Sequence, residues 1–322
     1  MTKMFVDAWD PSYGASFSGD SAGDGPTSPS TAQVETDHEV PAAEWAPIDP
    51  GGASCPDVVL LVDGVRRNDA GLWTEEEDGA SYAGLAASYA AGVVRCDLRN
   101  GVAELAGARV ARGLFTASPS ASDVVAGSVR YEVHRVSGTG EMSALPAAVQ
   151  APLTALEIDV SGAVRDDHTD LLVVDGPLRN RRHLTRTIGY VKTQQKQYLP
   201  ATLSLVVTSL RAGQRTPVFK MGTIFGGWSW YLRLPGTSGA PWAGIVRIEC
   251  SPDLTVEQAV ELAECSAATL PRFASSAYKD PRAPQNLVPI AGLERRLRGM
   301  LGDARVLHRA LTLATARNRV TV

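Results

Sequence analysis

The sequence predicts an α/β protein in which a mixed sheet is flanked by helices. The prediction depends on two similar segments, residues 60–64 (LLVDG) and residues 172–176 (LVVDG). In each segment, branched apolar residues typical of a buried strand lead to an aspartate and then to a glycine, which favours a turn. Two such strands side by side would bring Asp63 and Asp175 together, where they repel each other unless a divalent cation is bound. A single Asp-Gly pair is more often only the start of a turn, and the second copy favours the metal interpretation.

Composition is that of an ordinary globular protein. The chain has 322 residues, of which 44% are hydrophobic and 20% are charged. Because no apolar run is long enough to span a bilayer and the first residues do not resemble a signal peptide, we expect a cytoplasmic protein. The four cysteines form no CxxC pair, which excludes a typical zinc knuckle or disulfide framework.

Charge is segregated along the chain. Residues 1–50 contain nine acidic residues and one lysine, and we predict that residues 1–54 form an extended, partly flexible acidic arm. Residues 176–248 contain eleven Lys or Arg and no Asp or Glu. This basic stretch predicts a polyanionic partner such as DNA, bound in a basic groove that leads to the two aspartates.

The remaining pattern predicts the order of elements over residues 55–322. The first strand covers residues 58–62 and ends at Asp63, and a meander over residues 92–98 and 102–114 turns at residues 99–101. The later elements are a short strand (131–135), a helix (143–164), the second aspartate strand, a basic helical or mixed segment (179–197), strands (203–210, 219–234, 244–250) and helices (254–270, 293–301, and from 304). In addition, residues 4–9 are a candidate edge strand.

This order resembles the ribonuclease H-like nuclease fold. The resemblance implies that an Asp on the first strand, a Glu on the first helix and an Asp on the fourth strand bind two divalent metals, and Asp63, Glu157 and Asp175 match these positions. Carboxylates suit the binding of divalent metals because Mg²⁺ and Mn²⁺ prefer oxygen ligands. We therefore predict that the three carboxylates lie on the order of 4 Å apart.

More specifically, the sequence is similar to the NurA family of DNA-end-processing nucleases. The similarity depends on residues 62–64 (VDG), 156–157 (LE), 174–178 (VDGPL) and 189–192 (GYVK), and extends more weakly to residues 244–249 and the region of Pro289. It covers about residues 55–310. It implies a nuclease dependent on Mn²⁺ (or Mg²⁺) that acts on DNA ends as a homodimer bound to a HerA-like hexameric ATPase.

One family position is not matched, and other residues near the site have simpler interpretations. The family places a further ligand late in the chain, where Glu294, Asp303 and His308 are the available groups, and we favour Glu294. Lys192 next to the metal site would suit a scissile phosphate or attacking water, although it could also be a solvated lysine. Glu157 could likewise be an exposed helix residue.

Several basic residues are candidates for contact with the DNA backbone. They are Arg66, Arg67, Arg179, Arg182, Arg186, Lys192 and Arg247. Arg66 and Arg67 could instead only flank a turn. The aromatic residues Trp228, Trp230 and Tyr231 could stack on unpaired bases, but aromatic residues in a strand are more often core residues, and we favour that interpretation.

Two other functions compete with a metal-dependent nuclease. The first is a non-catalytic adaptor for DNA or a translocase, which keeps the fold but lacks a complete metal site. The second is an actin-like or sugar-kinase-like ATPase, whose first strand also ends in Asp-Gly. The sequence lacks a second glycine-rich phosphate loop of that kind, which disfavours the ATPase.

Overall fold

A computed structural model describes residues 3–6, 28–30, 32–137, 141–165, 169–193, 196–222, 226–236, 241–276, 278, 280 and 283–317. The strands are β1 (Lys3–Val6), β2 (Ser28–Pro29), β3 (Gln33–Glu35), β4 (Val58–Glu75), β5 (Ser81–Asp97), β6 (Val102–Thr116), β7 (Val124–Ala126), β8 (Val129–Arg135), β9 (Leu171–Asp175), β10 (Thr187–Val191), β11 (Lys196–Gln197), β12 (Phe219–Gly222), β13 (Trp228–Arg233) and β14 (Ile245–Cys250). The helices are α1 (Leu145–Ala148), α2 (Gln150–Ala163), α3 (Ala201–Ser209), α4 (Val256–Thr269), α5 (Val288–Met300) and α6 (Ala304–Arg317). No helix in these ranges is long and apolar enough to cross a membrane.

The described strands form one large mixed sheet and a small pair, β2 with β11. The centre of the large sheet has the order β6-β5-β4-β9-β10. Strands β4, β5 and β6 are an antiparallel meander, whereas β4 with β9 and β9 with β10 are parallel pairs. This arrangement confirms the predicted ribonuclease H-like mixed sheet. On one side, β14, β13, β12 and β3 extend the sheet beyond β10, and on the other side β8 and β7 follow β6.

Alternation along β9 shows how the helices cover the two faces. Leu171 and Val173 belong to the core that packs against α4 and α5, whereas Leu172 and Val174 belong to the core that packs against α2. Asp175 follows Leu171 and Val173 at the same spacing of two residues, so it lies on the α5 face of the sheet. Helix α3 packs on the same face as α2, against the outer strands β12 to β14.

The first aspartate strand differs from the prediction. Strand β4 does not end at Asp63 but continues for twelve more residues, and Asp63 and Gly64 pair in register with Gly92 and Ala91. The reason is the equally long partner β5, which supplies backbone hydrogen bonds along this whole length. At the second copy the turn is present, because Gly176 has φ +103°.

Other predictions have mixed outcomes. The strand predicted at residues 203–210 is wrong, because this segment forms helix α3. The meander, the strands at residues 219–234 and 244–250, the helix carrying Glu157 and the late helices are confirmed. Trp228, Trp230 and Tyr231 are at most 4% exposed, which confirms them as core residues.

The N-terminal region contacts the sheet in two places. Strand β1 pairs with the far end of β4, and β3 pairs with β12, which covers an edge of the sheet. Trp45 is buried against the α3 core. Residues 7–27 lie outside the described residues. They include much of the predicted, partly flexible arm and part of the candidate edge strand. The division of the chain at residue 54 stays a prediction.

Candidate metal centre

Asp63 and Asp175 come together because β4 and β9 are parallel neighbours. Val62 is in register with Val174, so the aspartates that follow them extend from adjacent positions on the α5 face. Helix α5 crosses this face and contributes Glu294. Leu293 and Leu297, on either side of Glu294 in the helix, are buried in the core beneath α5.

The three carboxylates form a compact group. One oxygen from each of Asp63, Asp175 and Glu294 lies within 4.8 Å of the others, and all three residues are half-buried. A backbone bond from the Gly64 N–H to Asp63 Oδ1, at 2.7 Å, orients the first carboxylate. We call these residues the acidic group.

The electrostatics of the acidic group are those of crowded negative charge. Burial raises the pKa of Asp63 well above its ordinary value, and repulsion by Asp175 adds to this rise. The positive charge of Lys192 acts in the opposite direction, and Glu294 contributes a smaller repulsion. A cation in this group would therefore replace a repulsive interaction with an attractive one.

Lys192 follows β10 and is held beside the acidic group. Its Nζ lies 2.6 Å from Asp175 Oδ2 and 3.1 Å from Asn286 Oδ1. Asn286 is fully buried, and its Nδ2 donates to Asp280 Oδ2 at 2.5 Å. Sequence reasoning found Lys192 but missed Asn286 and Asp280, because these residues are about ninety positions away and lie in a loop without a recognisable motif.

Glu157 does not join the acidic group. It lies on α2, on the opposite face of the sheet, is 7% exposed and forms a buried ion pair with Arg181. Its carboxylate lies directly against Gly64, where a Cβ atom would overlap it. Glu157 is therefore next to the backbone that carries Asp63, and its role as a metal ligand stays a prediction.

Arg181 is a third residue that sequence reasoning missed. Burial lowers its pKa to about 10, and the negative charge of Asp63 opposes this change. The run Arg179-Asn180-Arg181-Arg182 offered three arginines, and no local signal distinguished the one that turns inward to Glu157.

The other two candidates for the late metal ligand lie away from the acidic group. Asp303 caps α6 by accepting from the backbone N–H groups of Arg305 and Val306, and His308 is within that helix.

The predicted DNA-contacting residues are distributed over several surfaces. Two of them have bonds within the protein near β4: Arg66 donates to the Pro146 carbonyl at 2.9 Å, and Arg67 donates to Asp69 at 2.8 Å. Arg186 lies 3.3 Å from Glu261, and Arg182 is half-buried. Their roles in DNA binding stay predictions.

Arg179 and Arg247, by contrast, line one groove. The groove has a volume of about 1230 Å³ and lies between α2 and the segment that leads from β11 into α3. Lys196 and Tyr198 of that segment form its other wall. The groove is on the α2 face of the sheet, next to the turn that follows Asp175, since Pro177 also lines it.

The residues present fit a divalent cation at the acidic group. Carboxylate oxygens are the ligands that Mg²⁺ and Mn²⁺ prefer, and one from each of three residues lies within 4.8 Å of the others. Burial and, after it, repulsion by Asp175 raise the pKa of Asp63, and such an ion would offset both effects. The arrangement is suited to metal-assisted chemistry on a phosphate ester.

Comparisons with known proteins give structural matches of low TM-score and low sequence identity. Neither a protein-family model nor a curated protein matches the sequence. Among solved structures, the chain is similar to the NurA nuclease from Sulfolobus solfataricus, with 9% identity, a TM-score of 0.45, and coverage of 86% of this chain and 88% of that one. It is also similar to human endonuclease V (17% identity, TM-score 0.36, 83% and 92% covered) and to endonuclease V from Bacillus subtilis (14%, 0.35, 79% and 85%).

Proposed function

We propose that this protein is a divalent-metal-dependent nuclease that hydrolyses phosphodiester bonds in DNA. The observation that carries the proposal is the acidic group, with Lys192 beside it, at adjacent positions of β4 and β9 in a ribonuclease H-like sheet. A bound cation would activate water and stabilise charge on a phosphoryl oxygen. Asp63, Asp175 and Glu294 would hold that cation, and Lys192 would offset negative charge on the scissile phosphate.

The finer parts of the proposal are that the site binds two metal ions, that Mn²⁺ is the preferred metal, and that the nuclease attacks DNA at its ends. Three grouped carboxylates support one ion. A second ion would need Glu157, which lies on the opposite face of the sheet with its carboxylate paired to Arg181, so this part of the proposal includes both the release of Glu157 from Arg181 and its movement toward the acidic group. The resemblance of the sequence to the NurA family supports these parts.

Substitution of Asp175 tests the proposal most directly. Asp175→Asn keeps the shape of the side chain but removes the charge that attracts a cation. We expect cleavage of linear DNA in Mn²⁺ or Mg²⁺ to fall by more than about 100-fold, because even residues that only support metal ligands are worth about 10–100-fold. The matched control is Asp159→Asn, which makes the same charge change at an exposed position of α2 and should leave cleavage unchanged.

Calorimetry of Mn²⁺ binding separates loss of metal from loss of fold. Asp63→Asn and Asp175→Asn should each abolish the binding heat, with DNA binding in chelator retained. Cleavage by Asp175→Asn at the rate of the unmodified protein would show that Asp175 is only a turn residue, and the nuclease proposal would then be abandoned.

The adaptor function is favoured by one observation. The buried ion pair between Glu157 and Arg181 keeps a carboxylate out of the acidic group, as expected if metal binding has been reduced. An adaptor would bind DNA without binding Mn²⁺ and without cleaving. The same calorimetric and cleavage measurements on the unmodified protein decide between the two functions.

The resemblance also supports a homodimer and a HerA-like hexameric ATPase as partner, and the cytoplasmic location expected from the sequence is a further part of this proposal. Size-exclusion chromatography with light scattering, for the chain alone and mixed with a HerA-like ATPase, tests the first two. A monomer that elutes separately from the ATPase would remove both from the proposal without affecting the metal centre.

A further inference from the structure

The groove on the α2 face contains a cationic surface that the metal centre does not use. Its charged lining residues are Arg179, Lys196, Arg247 and Glu249. Glu249 accepts bonds from Arg247 Nη1 at 2.7 Å and from the Leu178 N–H at 2.5 Å, so its charge is already compensated. Arg179 and Lys196 are exposed and give the groove a net positive charge.

Arg247 on the floor is a buried donor with unused capacity. Its side chain is 7% exposed, and Nη1 bonds to Glu249, to Ser229 Oγ at 3.2 Å and to Met221 Sδ at 3.4 Å. The buried Nε has no hydrogen-bond partner among the described residues. The guanidinium lies over the Tyr198 ring, 5.2 Å from its centroid, so a cation and an aromatic ring are stacked at the groove wall.

The size and polarity of the groove indicate the kind of ligand. A volume of about 1230 Å³ exceeds the roughly 300–1,000 Å³ of small-molecule pockets, so a segment of a longer chain fits better than a metabolite. Exposed cations along the walls match a phosphate backbone, and the Tyr198 ring on one wall, stacked with the recessed Arg247, matches unpaired bases. A base-paired duplex would offer phosphates to the walls but would keep its bases away from the floor.

The position of the groove relates it to the acidic group. Gly176 turns the chain directly after Asp175, and Pro177 and Arg179 then line the groove. On the other wall, Thr154 and Ile158 of α2 line it, three residues before and one residue after Glu157 in the helix. A strand in the groove would therefore pass close to the end of β9, around which it would have to cross to reach the acidic group on the opposite, α5 face of the sheet.

From these observations we propose that the groove binds a single-stranded segment of the DNA substrate and leads it to the acidic group. This inference rests on the proposed nuclease function, because the groove would have that role only if the acidic group cleaves DNA. Lys196 and Arg179 contact phosphates, and Tyr198 with Arg247 contacts an unpaired base.

Fluorescence anisotropy with a labelled single-stranded oligonucleotide of about 12 nucleotides tests the proposal. EDTA prevents cleavage and separates binding from the metal centre. Lys196→Glu reverses a groove charge, and Ala151→Glu adds an acid to the exposed α2 wall without removing an existing contact. We expect each to weaken binding at least tenfold, and the matched control Arg211→Glu, exposed in the same basic stretch but outside the groove, to weaken it less than threefold.

Three further measurements identify the ligand. The groove variants should lose less affinity for a blunt duplex of the same sequence than for the single strand. Deoxynucleoside monophosphates should fail to compete with the labelled strand at concentrations at which the oligonucleotide saturates the protein. The affinity for the single strand should fall with increasing salt, because bound phosphates release cations. In Mn²⁺, the groove variants should raise KM for single-stranded substrate more than they lower kcat.

The outcomes separate this inference from the proposed function. If all groove variants bind the single strand as the unmodified protein does, the inference is wrong, even when Asp175→Asn has lost cleavage. Equal losses of affinity for duplex and single strand in the groove variants, or competition by mononucleotides, would also overturn it. If Asp175→Asn cleaves normally, the nuclease function fails whatever the binding measurements show. Equal melting temperatures of the variants in EDTA exclude unfolding as the cause of weak binding.

Discussion

Asp63 shows at the scale of one residue how the acidic group can destabilise the metal-free protein. Its raised pKa means that the folded state disfavours the ionised carboxylate, first through burial and then through repulsion by Asp175. We predict that Asp63→Asn raises the melting temperature in EDTA at pH 7–8, while it abolishes the rise that Mn²⁺ causes in the unmodified protein. Each kcal/mol corresponds to about 2–4 °C in chains of about 150–250 residues and to a smaller shift in a longer chain such as this one.

The pH dependence of this effect has a defined sign. The pKa of Asp63 is higher in the folded state than in the unfolded state. Its ionised carboxylate therefore destabilises the folded protein fully above the folded pKa and not at all below the unfolded value of about 3.9. As the pH falls through this window, the unmodified protein should gain stability relative to Asp63→Asn, and the difference in melting temperature should shrink. A difference that is constant from pH 8 to pH 4 would show that charge at Asp63 is not the cause.

Gly64 is required for a close approach and not for an unusual backbone angle. A Cβ at this position would overlap the Glu157 carboxylate and lie 2.7 Å from Leu153 Cδ1. We predict that Gly64→Ala destabilises the protein by about 1–3 kcal/mol, as is typical of overpacking, in chemical denaturation. Gly162→Ala is the control, since a Cβ there meets nothing within 4 Å and the residue lies in α2. It should stabilise by up to about 1 kcal/mol, and a similar loss in both variants would contradict the steric explanation.

The sequence predicted part of the candidate site at this scale. The repeated strand-aspartate pattern indicated that Asp63 and Asp175 would be neighbours, and the family resemblance led to Glu294. The pattern could not predict that Glu157 pairs with Arg181, because the direction of a helical side chain depends on which face of the helix is packed against the sheet. Asn286 and Asp280 were missed for a related reason, since only the folded chain brings them to Lys192.

At the scale of elements, α3 shows where local preference fails. Residues 203–210 (LSLVVTSL) are rich in residues that favour strands, and the prediction followed that composition. In the structure Leu203, Val207 and Leu210 are buried at helical spacing, and Leu205 is 69% exposed. Tertiary packing of one apolar stripe therefore outweighed propensity, and the stripe was the signal in the sequence that could have identified the helix.

The two interpretations of this segment make different predictions for substitutions. Because Leu205 faces solvent, Leu205→Lys should change the free energy of unfolding by no more than about 0.5 kcal/mol. Val207 is fully buried against the outer strands, and Val207→Lys should place an unpaired charge in that core and prevent cooperative folding. Thermal denaturation followed by circular dichroism measures both. Strong destabilisation by Leu205→Lys would indicate that this side chain is covered, as a buried strand requires.

Strand β4 shows a second limit at the element scale. The pair Asp63-Gly64 favoured a turn, yet β4 continues beyond it, with an irregularity in register between Asn68 and Ala70. Buried Asp69 lies at this irregularity and is bonded to Arg67, Ser88 and Tyr131. Ser88 and Tyr131 come from β5 and β8, so the continuation depends on contacts that a local pattern does not contain.

At the scale of the whole molecule, the segregated charges meet in the folded structure. Glu39, from the acidic N-terminal stretch, forms a two-point ion pair with Arg215 of the basic stretch, at 2.8 and 3.0 Å. Glu39 also accepts from the Val218 N–H at 2.7 Å. Arg215 is 1% exposed and is bonded in addition to Glu264 of α4. The arm, the outer strands and α4 are thus joined by one buried cation.

This junction leads to the last prediction, which tests whether residues 32–50 are part of the folded unit. Removing a charge from a buried pair typically costs about 3–5 kcal/mol, but Glu264 still compensates Arg215 when Glu39 is neutralised. We therefore expect Glu39→Gln to lower the free energy of unfolding by about 1–3 kcal/mol, in a single transition measured by urea denaturation. Glu44→Gln removes the same charge from an exposed position of the arm and should change it by no more than about 0.5 kcal/mol. If the arm were only loosely attached, both variants would match the unmodified protein, because breaking a contact that the folded core does not need leaves the core's stability unchanged.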